Sequence, residues 1–415
     1  MLSLYDPARH EVLAAAAWNP QRVRDAIAAI CRDAESAFHA ELLWPIHPED
    51  EDPGDPADGI FSGLYCGAAG MVHALDRLAK AGFYEPSLDF AAITGGLYEA
   101  ALTSPDEPGA GASLMNGSSG ILLIAHRHAP SLATAEALAE VIAANVVHPA
   151  NELLYGAPGT MLAARAMHAR TGAECFEELW RASARELLAR QEQDGLWTQE
   201  LFGRTQRLIG AAHGFAGNIL ALSAAPEWLD DARAVEARAV DTARGLAIVD
   251  GDLANWSFGE GGSRAGTPPR VQWCHGAAGI VTSLARLARD DHAHGALMAA
   301  GGELVWTAGP VAENAGLCHG TGGNGFAFLA LWERTGDERW LERARAFAMH
   351  GLGQVDRLRA ATGRGRYWLF TGDIGAALLA AACLNGDARL PGIDDLAAPA
   401  PAHPNVQQAQ RLGYS

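Results

Sequence analysis

The chain has 415 residues, of which 49% are apolar and 19% charged, a composition typical of a globular protein with a large core. Asp and Glu outnumber Lys and Arg by 49 to 31, and the resulting net charge of −18 argues against binding to nucleic acid or to an anionic membrane surface. Lys80 is the only lysine, so chemistry that needs a lysine nucleophile or base would rest on that residue alone.

The first residues, MLSLYDPARHEVL, lack the basic segment and apolar run of a secretory signal. No apolar run approaches the roughly 20 residues that cross a bilayer, so we expect no membrane insertion. Six cysteines are too few for a disulfide scaffold in a chain of this length. We therefore expect a soluble protein of the reducing cytoplasm, where a cysteine placed in a pattern is a metal ligand or a nucleophile.

A GxxG element recurs seven times, and each copy is followed by an apolar run typical of a buried helix. The copies lie at residues 67–70, 117–120, 156–159, 214–217, 276–279, 320–323 and 372–375. Each interval between copies fits two helices and their loops. The second helix is the more charged, as in FEELWRASARELLARQE (176–192), and alternating strand patterns are nearly absent.

Seven helical hairpins that cannot bury their faces alone predict an all-α fold, an α/α toroid with the GxxG elements where the inner helices begin. A closed ring is favoured over an open solenoid because the runs after the glycines are apolar on most sides. We expect one domain over residues 1–415, with the toroid core at about 60–385. A helical segment and loop would precede it at 1–59, and a tail at about 386–415 would run over the surface.

The residues just before the glycine elements would converge at one end of this ring. The fifth and sixth elements carry two donors each, Cys274 with His275 and Cys318 with His319. Thiolates and imidazoles are the ligands that Zn²⁺ prefers, so the pattern predicts a zinc site assembled by tertiary structure. The other residues at this position are Cys66, Asn116, Tyr155, His213 and Thr371.

An isolated buried cysteine is usually a small apolar residue, and we assign that role to Cys31, Cys175 and Cys383. Cys66 receives the same assignment, although its position before a glycine element would bring an extra thiol to the cavity. The loop at 251–270, directly before the fifth element, is long, and long loops in compact domains are often functional.

Together these motifs resemble the lanthionine synthetase C-like family, zinc proteins with a seven-fold toroid of double helices. The resemblance covers roughly residues 60–385. It is most specific in NELLYGAPG (151–159), AAHGFAGN (211–218), VQWCHGAAGI (271–280) and GLCHGTGGNGFAFL (316–329). The sequence ELLYG and the paired CHG triplets are more similar to the stand-alone LanC-like branch than to the bacterial lantibiotic cyclases.

Carried over to this chain, the resemblance implies that Cys274, Cys318 and His319 bind Zn²⁺ and that His213 performs acid–base work. It also implies a role for Arg270, four residues before the first zinc cysteine. The aspartate of the lantibiotic cyclases falls on Glu152, and this longer carboxylate argues against peptide cyclisation. His275 is an alternative acid, or it orients the zinc ligands.

The implied reaction adds a thiol to a dehydroalanine or dehydrobutyrine residue and leaves a thioether. The thiol would be glutathione or a cysteine of the substrate, and ELLYG with Glu152 favours glutathione. Arg270 would stabilise the enolate, His213 or His275 would protonate it, and Glu152 would orient His213. No dehydratase or lyase segment is attached, so a separate dehydratase or lyase would supply the dehydrated peptide or protein.

Two other functions compete with this one. A non-catalytic scaffold that binds zinc and glutathione would not need His213, Arg270 and a carboxylate beside the metal ligands. A toroidal glycosidase or terpene-type cyclase is disfavoured because glycoside hydrolysis uses a pair of carboxylates, whereas Glu152 is the only obvious carboxylate at this end of the ring.

Overall fold

The computed structural model of the chain describes residues 3–51, 59–107, 109–260 and 267–397. Within these ranges, no helix combines the length and the apolar character needed to span a bilayer. The helices are α1 (Pro20–Ser36), α2 (Ala68–Lys80), α3 (Phe90–Thr94), α4 (Leu97–Thr103), α5 (Ser118–His128), α6 (Leu132–Asn145), α7 (Ala157–Thr171), α8 (Glu174–Ala189), α9 (Phe215–Ser223), α10 (Ala232–Leu246), α11 (Ala277–Leu284), α12 (His292–Ala308), α13 (Thr321–Thr335), α14 (Glu338–Thr362) and α15 (Ile374–Asn385), with short 3₁₀ turns at Pro7–Arg9 and Pro226–Trp228.

Seven of these helices form a closed inner ring in the order α2, α5, α7, α9, α11, α13 and α15, and α15 contacts α2 again. The second glycine of a GxxG element lies where adjacent members approach most closely. A β-carbon at Gly279, for example, would overlap the Trp273 carbonyl oxygen and press on the Ala211 side chain. Only glycine leaves room for that approach. The closed ring confirms the predicted α/α toroid.

A ring of backbone hydrogen bonds joins the loops that precede the inner helices. The bonds connect the residues that stand two positions before the first glycine of each GxxG element. In the third element, Leu154 accepts the bond, but the neighbouring Leu153 donates the next one. The bonds are Tyr65 N to Met115 O (2.9 Å), Met115 N to Leu154 O (3.4 Å), Leu153 N to Ala212 O (3.2 Å), Ala212 N to Cys274 O (3.4 Å), Cys274 N to Cys318 O (3.1 Å), Cys318 N to Phe370 O (2.8 Å) and Phe370 N to Tyr65 O (3.4 Å). We call this end of the toroid the glycine rim.

The remaining long helices form the outer layer, and most of them pack against the inner helix that precedes them in the chain. The inner helix α15 has no described helix after it; it packs against α14, which precedes it, and against α1 from the beginning of the chain. Val23, Ile27 and Ile30 lie on one face of α1 at helical spacing and are buried there. The seventh pair therefore joins the two ends of the sequence, and it is not a hairpin of consecutive helices as the repeat pattern predicts.

Two antiparallel hairpins interrupt the helical pattern, although alternating sequence patterns hardly indicate them. β1 (Gln199–Leu201) pairs with β2 (Arg204–Gln206), and β3 (Ala247–Asp250) pairs with β4 (Leu253–Trp256). The long loop at 251–270 therefore begins with a strand. Its residues 261–266 lie outside the described part of the chain.

The first part of the C-terminal tail closes the toroid at the end opposite the glycine rim. Leu390, Ile393 and Leu396 are buried there, and Asp395 is 2% exposed. The prediction that the tail runs over the surface is therefore wrong for residues 387–396. Apolar side chains three residues apart and the ion pairs of Asp395 hold this segment against the inner helices. The remainder, 398–415, lies outside the described residues.

Candidate functional site

Three side chains that could hold a metal ion meet at the glycine rim. One ligand atom each from Cys274, Cys318 and His319 lies within 4.8 Å of the other two. The two cysteines are 5% and 4% exposed, and the hydrogen bond from Cys274 N to Cys318 O (3.1 Å) fixes their separation. The repeat brings them together because each stands two residues before the first glycine of its element. This donor set suits Zn²⁺ or another soft divalent cation, with a coordination position left for a further ligand.

The electrostatics of the two thiols are those of a ligand pair. The Cys318 thiol hydrogen-bonds to Cys274, and this bond, with a further one from His319, holds the pKa of Cys274 well below its ordinary value. The same contact with Cys274 and burial raise the pKa of Cys318. One thiolate therefore shares the proton of its neighbour, an arrangement in which a divalent cation can replace that proton.

Tyr65 was not identified from the sequence but contacts this cluster. Its hydroxyl hydrogen-bonds to Cys318, and its ring stacks on Phe370 with centroids 5.0 Å apart and an interplanar angle of 3°. Burial, followed by the nearby Cys318, raises the pKa of Tyr65, so the phenol stays protonated and donates to sulfur. The available signal was its position, two residues before the first glycine of an element, which is also the position of Cys274 and Cys318.

His213 and Glu152 form a second unit on the rim. His213 Nδ1 lies 3.0 Å from Glu152 Oε2, and the carboxylate is fully buried. Burial lowers the pKa of His213, but the hydrogen bond and charge of Glu152 outweigh it, and the net pKa is raised. A bond at Nδ1 leaves Nε2 as the nitrogen that can exchange a proton with a ligand.

Glu152 also holds the turn that leads into α7. Its Oε1 accepts from the Tyr155 N–H at 2.5 Å and the Gly156 N–H at 3.3 Å, and its Oε2 accepts from the Leu154 N–H at 3.1 Å. The carboxylate thus orders the turn before α7, close to the positive end of the helix dipole, and orients His213 at the same time.

His275 is placed between aromatic rings. It stacks against His213 with centroids 5.5 Å apart and packs against Phe258 at 4.1 Å. Burial lowers the pKa of His275 to about 4, so the imidazole is neutral near pH 7. Among the described residues, no side chain or backbone group hydrogen-bonds to its buried Nδ1.

Arg270 lies at the edge of the site and is exposed. Its Nη1 donates to Gln272 Oε1 at 3.4 Å, and that oxygen lies 3.9 Å from Cys274 Sγ. Buried Asn255 fixes the backbone of this turn because it donates to the Arg270 carbonyl (3.1 Å) and accepts from the Ala277 N–H (2.8 Å). Gln272 and Asn255 were not predicted from the sequence, in which each is an isolated amide in a polar loop.

Cys66 occupies the rim position before Gly67, where it is half-buried, and it does not belong to the three-residue donor cluster. Next to Thr371, the seventh rim residue, lies a polar cavity of about 280 Å³. Arg357, Arg366 and Asn314 contribute to its wall. This cavity offers charged and amide groups on the side of the rim next to the Cys318 loop.

Comparison with known proteins agrees with this architecture. The profile of the family described as lanthionine synthetase C-like protein matches residues 62–394. A LanC-like protein, GCL1, from Arabidopsis thaliana is 35% identical over 150 residues, which are 35% of this chain and 32% of that protein. Glutathione S-transferase LANCL1 from Danio rerio is 38% identical over 82 residues, 19% of this chain and 20% of that protein.

The matched stretches thus span about a third and a fifth of these curated relatives. Among solved structures, nisin cyclase superposes with a TM-score of 0.60 over 91% of this chain and 99% of its own, at 14% sequence identity. That similarity concerns the fold. Since the family profile covers most of the toroid and the seven glycine elements build its inner ring, the chain belongs to the lanthionine synthetase C-like family.

Proposed function

We propose that the protein catalyses thioether formation by adding a thiol to a dehydroalanine or dehydrobutyrine residue of a peptide or protein. Family membership supports a cyclase-like, thioether-forming function. The observation that carries the proposal for this chain is that the Cys274–Cys318–His319 cluster and the His213–Glu152 pair lie on one rim. Thiol activation and proton delivery thereby have separate groups in one site.

Cys274, Cys318 and His319 would hold zinc, which supplies a Lewis acid that lowers the pKa of a substrate thiol. The thiolate sulfur forms a bond to the β-carbon, and the electron pair of the double bond moves toward the neighbouring carbonyl as an enolate. Arg270 offers a guanidinium to the developing negative charge. His213 then delivers a proton to the α-carbon, which balances the proton lost by the thiol.

His213 suits the acid role better than His275. Glu152 raises the pKa of His213 and favours its protonated form, whereas burial leaves His275 neutral near pH 7. His275 then serves as a neutral neighbour that packs against the His213 ring. This assignment also favours a catalyst over the non-catalytic scaffold, because binding a metal and a thiol does not require a histidine whose charge is supported by a buried carboxylate.

Glutathione is the thiol that we favour over a cysteine of the same peptide. The cavity beside Thr371 has guanidinium groups from Arg357 and Arg366 that could bind a glutathione carboxylate, in exchange for their present ion pairs with Glu11 and Asp50. The similarity to a relative named glutathione S-transferase supports the same choice. A separate dehydratase or lyase would supply the dehydrated substrate, and a reducing cytoplasm would keep both thiols available for metal.

The test is to incubate metal-loaded protein with glutathione and a dehydroalanine peptide and to follow the thioether adduct by mass spectrometry. We expect adduct formation above the uncatalysed rate, and a loss of roughly 10²–10⁴-fold in His213→Ala at unchanged metal content. A peptide with its own cysteine, run in parallel, separates cyclisation from glutathione addition. Metal and glutathione binding without acceleration of either reaction would instead identify a scaffold.

A further inference from the structure

A second group of polar and aromatic side chains lies on the rim next to the His213–Glu152 pair, and the proposed chemistry does not use it. The Tyr155 hydroxyl donates to Glu107 Oε2 at 2.5 Å, and Asn116 Nδ2 donates to the same oxygen at 3.1 Å. Asn116 Nδ2 also lies 3.1 Å from the Tyr155 hydroxyl oxygen. Two neutral donors therefore hold one carboxylate in a fixed orientation.

The charge of Glu107 acts on His213 through space, but it forms no direct ion pair among the described residues. In the ranges that the structure describes, no arginine, lysine or histidine nitrogen lies within ion-pair distance of this half-buried carboxylate. Its backbone is held in place because the neighbouring Asp106 accepts hydrogen bonds from the Ser62 and Gly63 N–H groups at 2.7 and 2.6 Å. An oriented, partly desolvated carboxylate without a cation attracts one from outside.

An exposed aromatic ring stands beside it. Phe202 at the tip of the β1–β2 hairpin is 60% exposed, and its ring meets Tyr155 edge to face with centroids 5.2 Å apart. Phe202 has a φ of 51°, a left-handed conformation that is strained for a residue with a β-carbon. The chain thus keeps a large, mostly exposed apolar ring, on strained backbone, against the ring of Tyr155, whose hydroxyl binds Glu107.

We propose that Glu107, Tyr155 and Phe202 form a subsite for a cationic group of the substrate, beside the position where the thiol adds. A carboxylate flanked by aromatic rings binds an ammonium or guanidinium by ion pairing and by cation–π attraction. The net charge of −18 favours a cationic ligand at longer range. This inference rests on the proposed function for its substrate.

Two sources can supply that cation. One is a lysine or arginine side chain of the dehydrated peptide, next to the reactive residue, and the other is the α-ammonium of glutathione. The shared chemistry is a cation at Glu107, and the arms of the experiment separate the sources.

Binding measurements on metal-loaded, full-length protein provide the test, because they need no turnover. The first arm uses labelled peptides with alanine in place of the dehydroalanine and one lysine, or uncharged norleucine, at each of the flanking positions. We expect lysine at one or two positions to lower Kd by about fivefold relative to norleucine, and added salt to reduce the difference. The second arm compares glutathione with its deaminated analogue by calorimetry.

The variants are Glu107→Gln, which keeps the side-chain shape, and Glu200→Gln, a matched control that removes an exposed carboxylate from β1 of the same hairpin. A cation preference that is lost in Glu107→Gln and kept in Glu200→Gln supports the subsite. The experiment that shows the preference, with the peptide or with glutathione, identifies the source of the cation. If neither arm shows a preference, or if both variants lose it equally, the subsite is refuted. Thioether formation by the wild type would remain an independent result.

Discussion

The two ends of the toroid use buried charge in opposite ways. At the end closed by the tail, Asp395 contacts Arg77 at 2.6 Å and His73 at 3.1 Å, and Arg77 contacts Asp387 at 2.6 Å. At the glycine rim, the Cys274–Cys318 pair shares a proton, and Glu107 forms no direct ion pair within the described part of the chain. The end closed by the tail thus pairs its buried charges with one another, whereas the rim combines one such pair, His213–Glu152, with thiols and a carboxylate that a ligand can reach.

We expect the largest effect of a substitution at the end of the toroid that the tail closes. Replacing Asp395 with alanine leaves the buried Arg77 without one of its two carboxylates, and we expect the free energy of unfolding to fall by about 3–5 kcal/mol. Asp290→Ala is the control, since that aspartate is exposed and forms no ion pair within the described residues. Urea unfolding of both variants checks the prediction, and equal stability would show that the ion pairs do not hold the tail.

Acid sensitivity follows from the same cluster. Burial alone would raise the pKa of Asp395, but His73 and Arg77 lower it well below its ordinary value. A carboxylate with a lowered folded-state pKa stabilises the fold above its unfolded value of about 3.9, and this contribution is lost as pH falls toward the folded value. Below about pH 5, stability should therefore fall less steeply in Asp395→Asn than in the wild type, as urea unfolding across pH would show. Identical slopes would remove Asp395 from the acid transition.

At the rim, Glu152→Gln separates charge from shape. The glutamine oxygen can still accept from the Tyr155 and Gly156 N–H groups, and only the bond from the Leu154 N–H is lost, so we expect a modest loss of thermal stability. The raised pKa of His213 depends on the carboxylate, so its acid form should be lost at lower pH in the variant. The rate of thioether formation should fall by roughly 10–100-fold, and its decline with rising pH should shift to lower pH. An unchanged pH profile with a large loss of stability would limit Glu152 to holding the turn before α7.

Glycine substitutions probe the ring that joins the two ends. Gly279→Ala places a methyl group against the Trp273 carbonyl and Ala211, and we expect a loss of about 1–3 kcal/mol. Gly245→Ala, near the end of outer helix α10, meets open space and should stabilise the protein by about 0.5–1 kcal/mol. Thermal unfolding of the pair should give opposite signs, and equal effects would contradict the close approach of the inner helices.

The smallest expected effect concerns Tyr65. Its hydroxyl donates to Cys318, so Tyr65→Phe removes a hydrogen bond from a metal ligand without changing the stacking on Phe370. We expect zinc affinity to fall by about tenfold, measured by competition with a chelator. Tyr98→Phe, on outer helix α4, is the control and should leave affinity unchanged.

The inner ring, the tail and the rim loops differ in how far the sequence predicts them. The spacing of the GxxG elements predicts the ring, and the coincidence of Cys-His-Gly triplets with that spacing predicts which donors meet. The partnership of α1 with α15 and the burial of the tail could not be predicted in this way, because neither segment carries the repeat. The contacts of Glu107 and Gln272 depend on loop conformations, which a single acidic or amide residue does not specify.

The most direct test of the account is the metal content of protein purified without added zinc, measured by mass spectrometry beside the Cys274→Ala/Cys318→Ala double variant. The account predicts one zinc ion per chain in the wild type and none in a folded double variant. Well-folded wild-type protein that holds no zinc even after zinc is offered, or a double variant that retains it, would contradict the thiol-activating centre on which the proposed function depends.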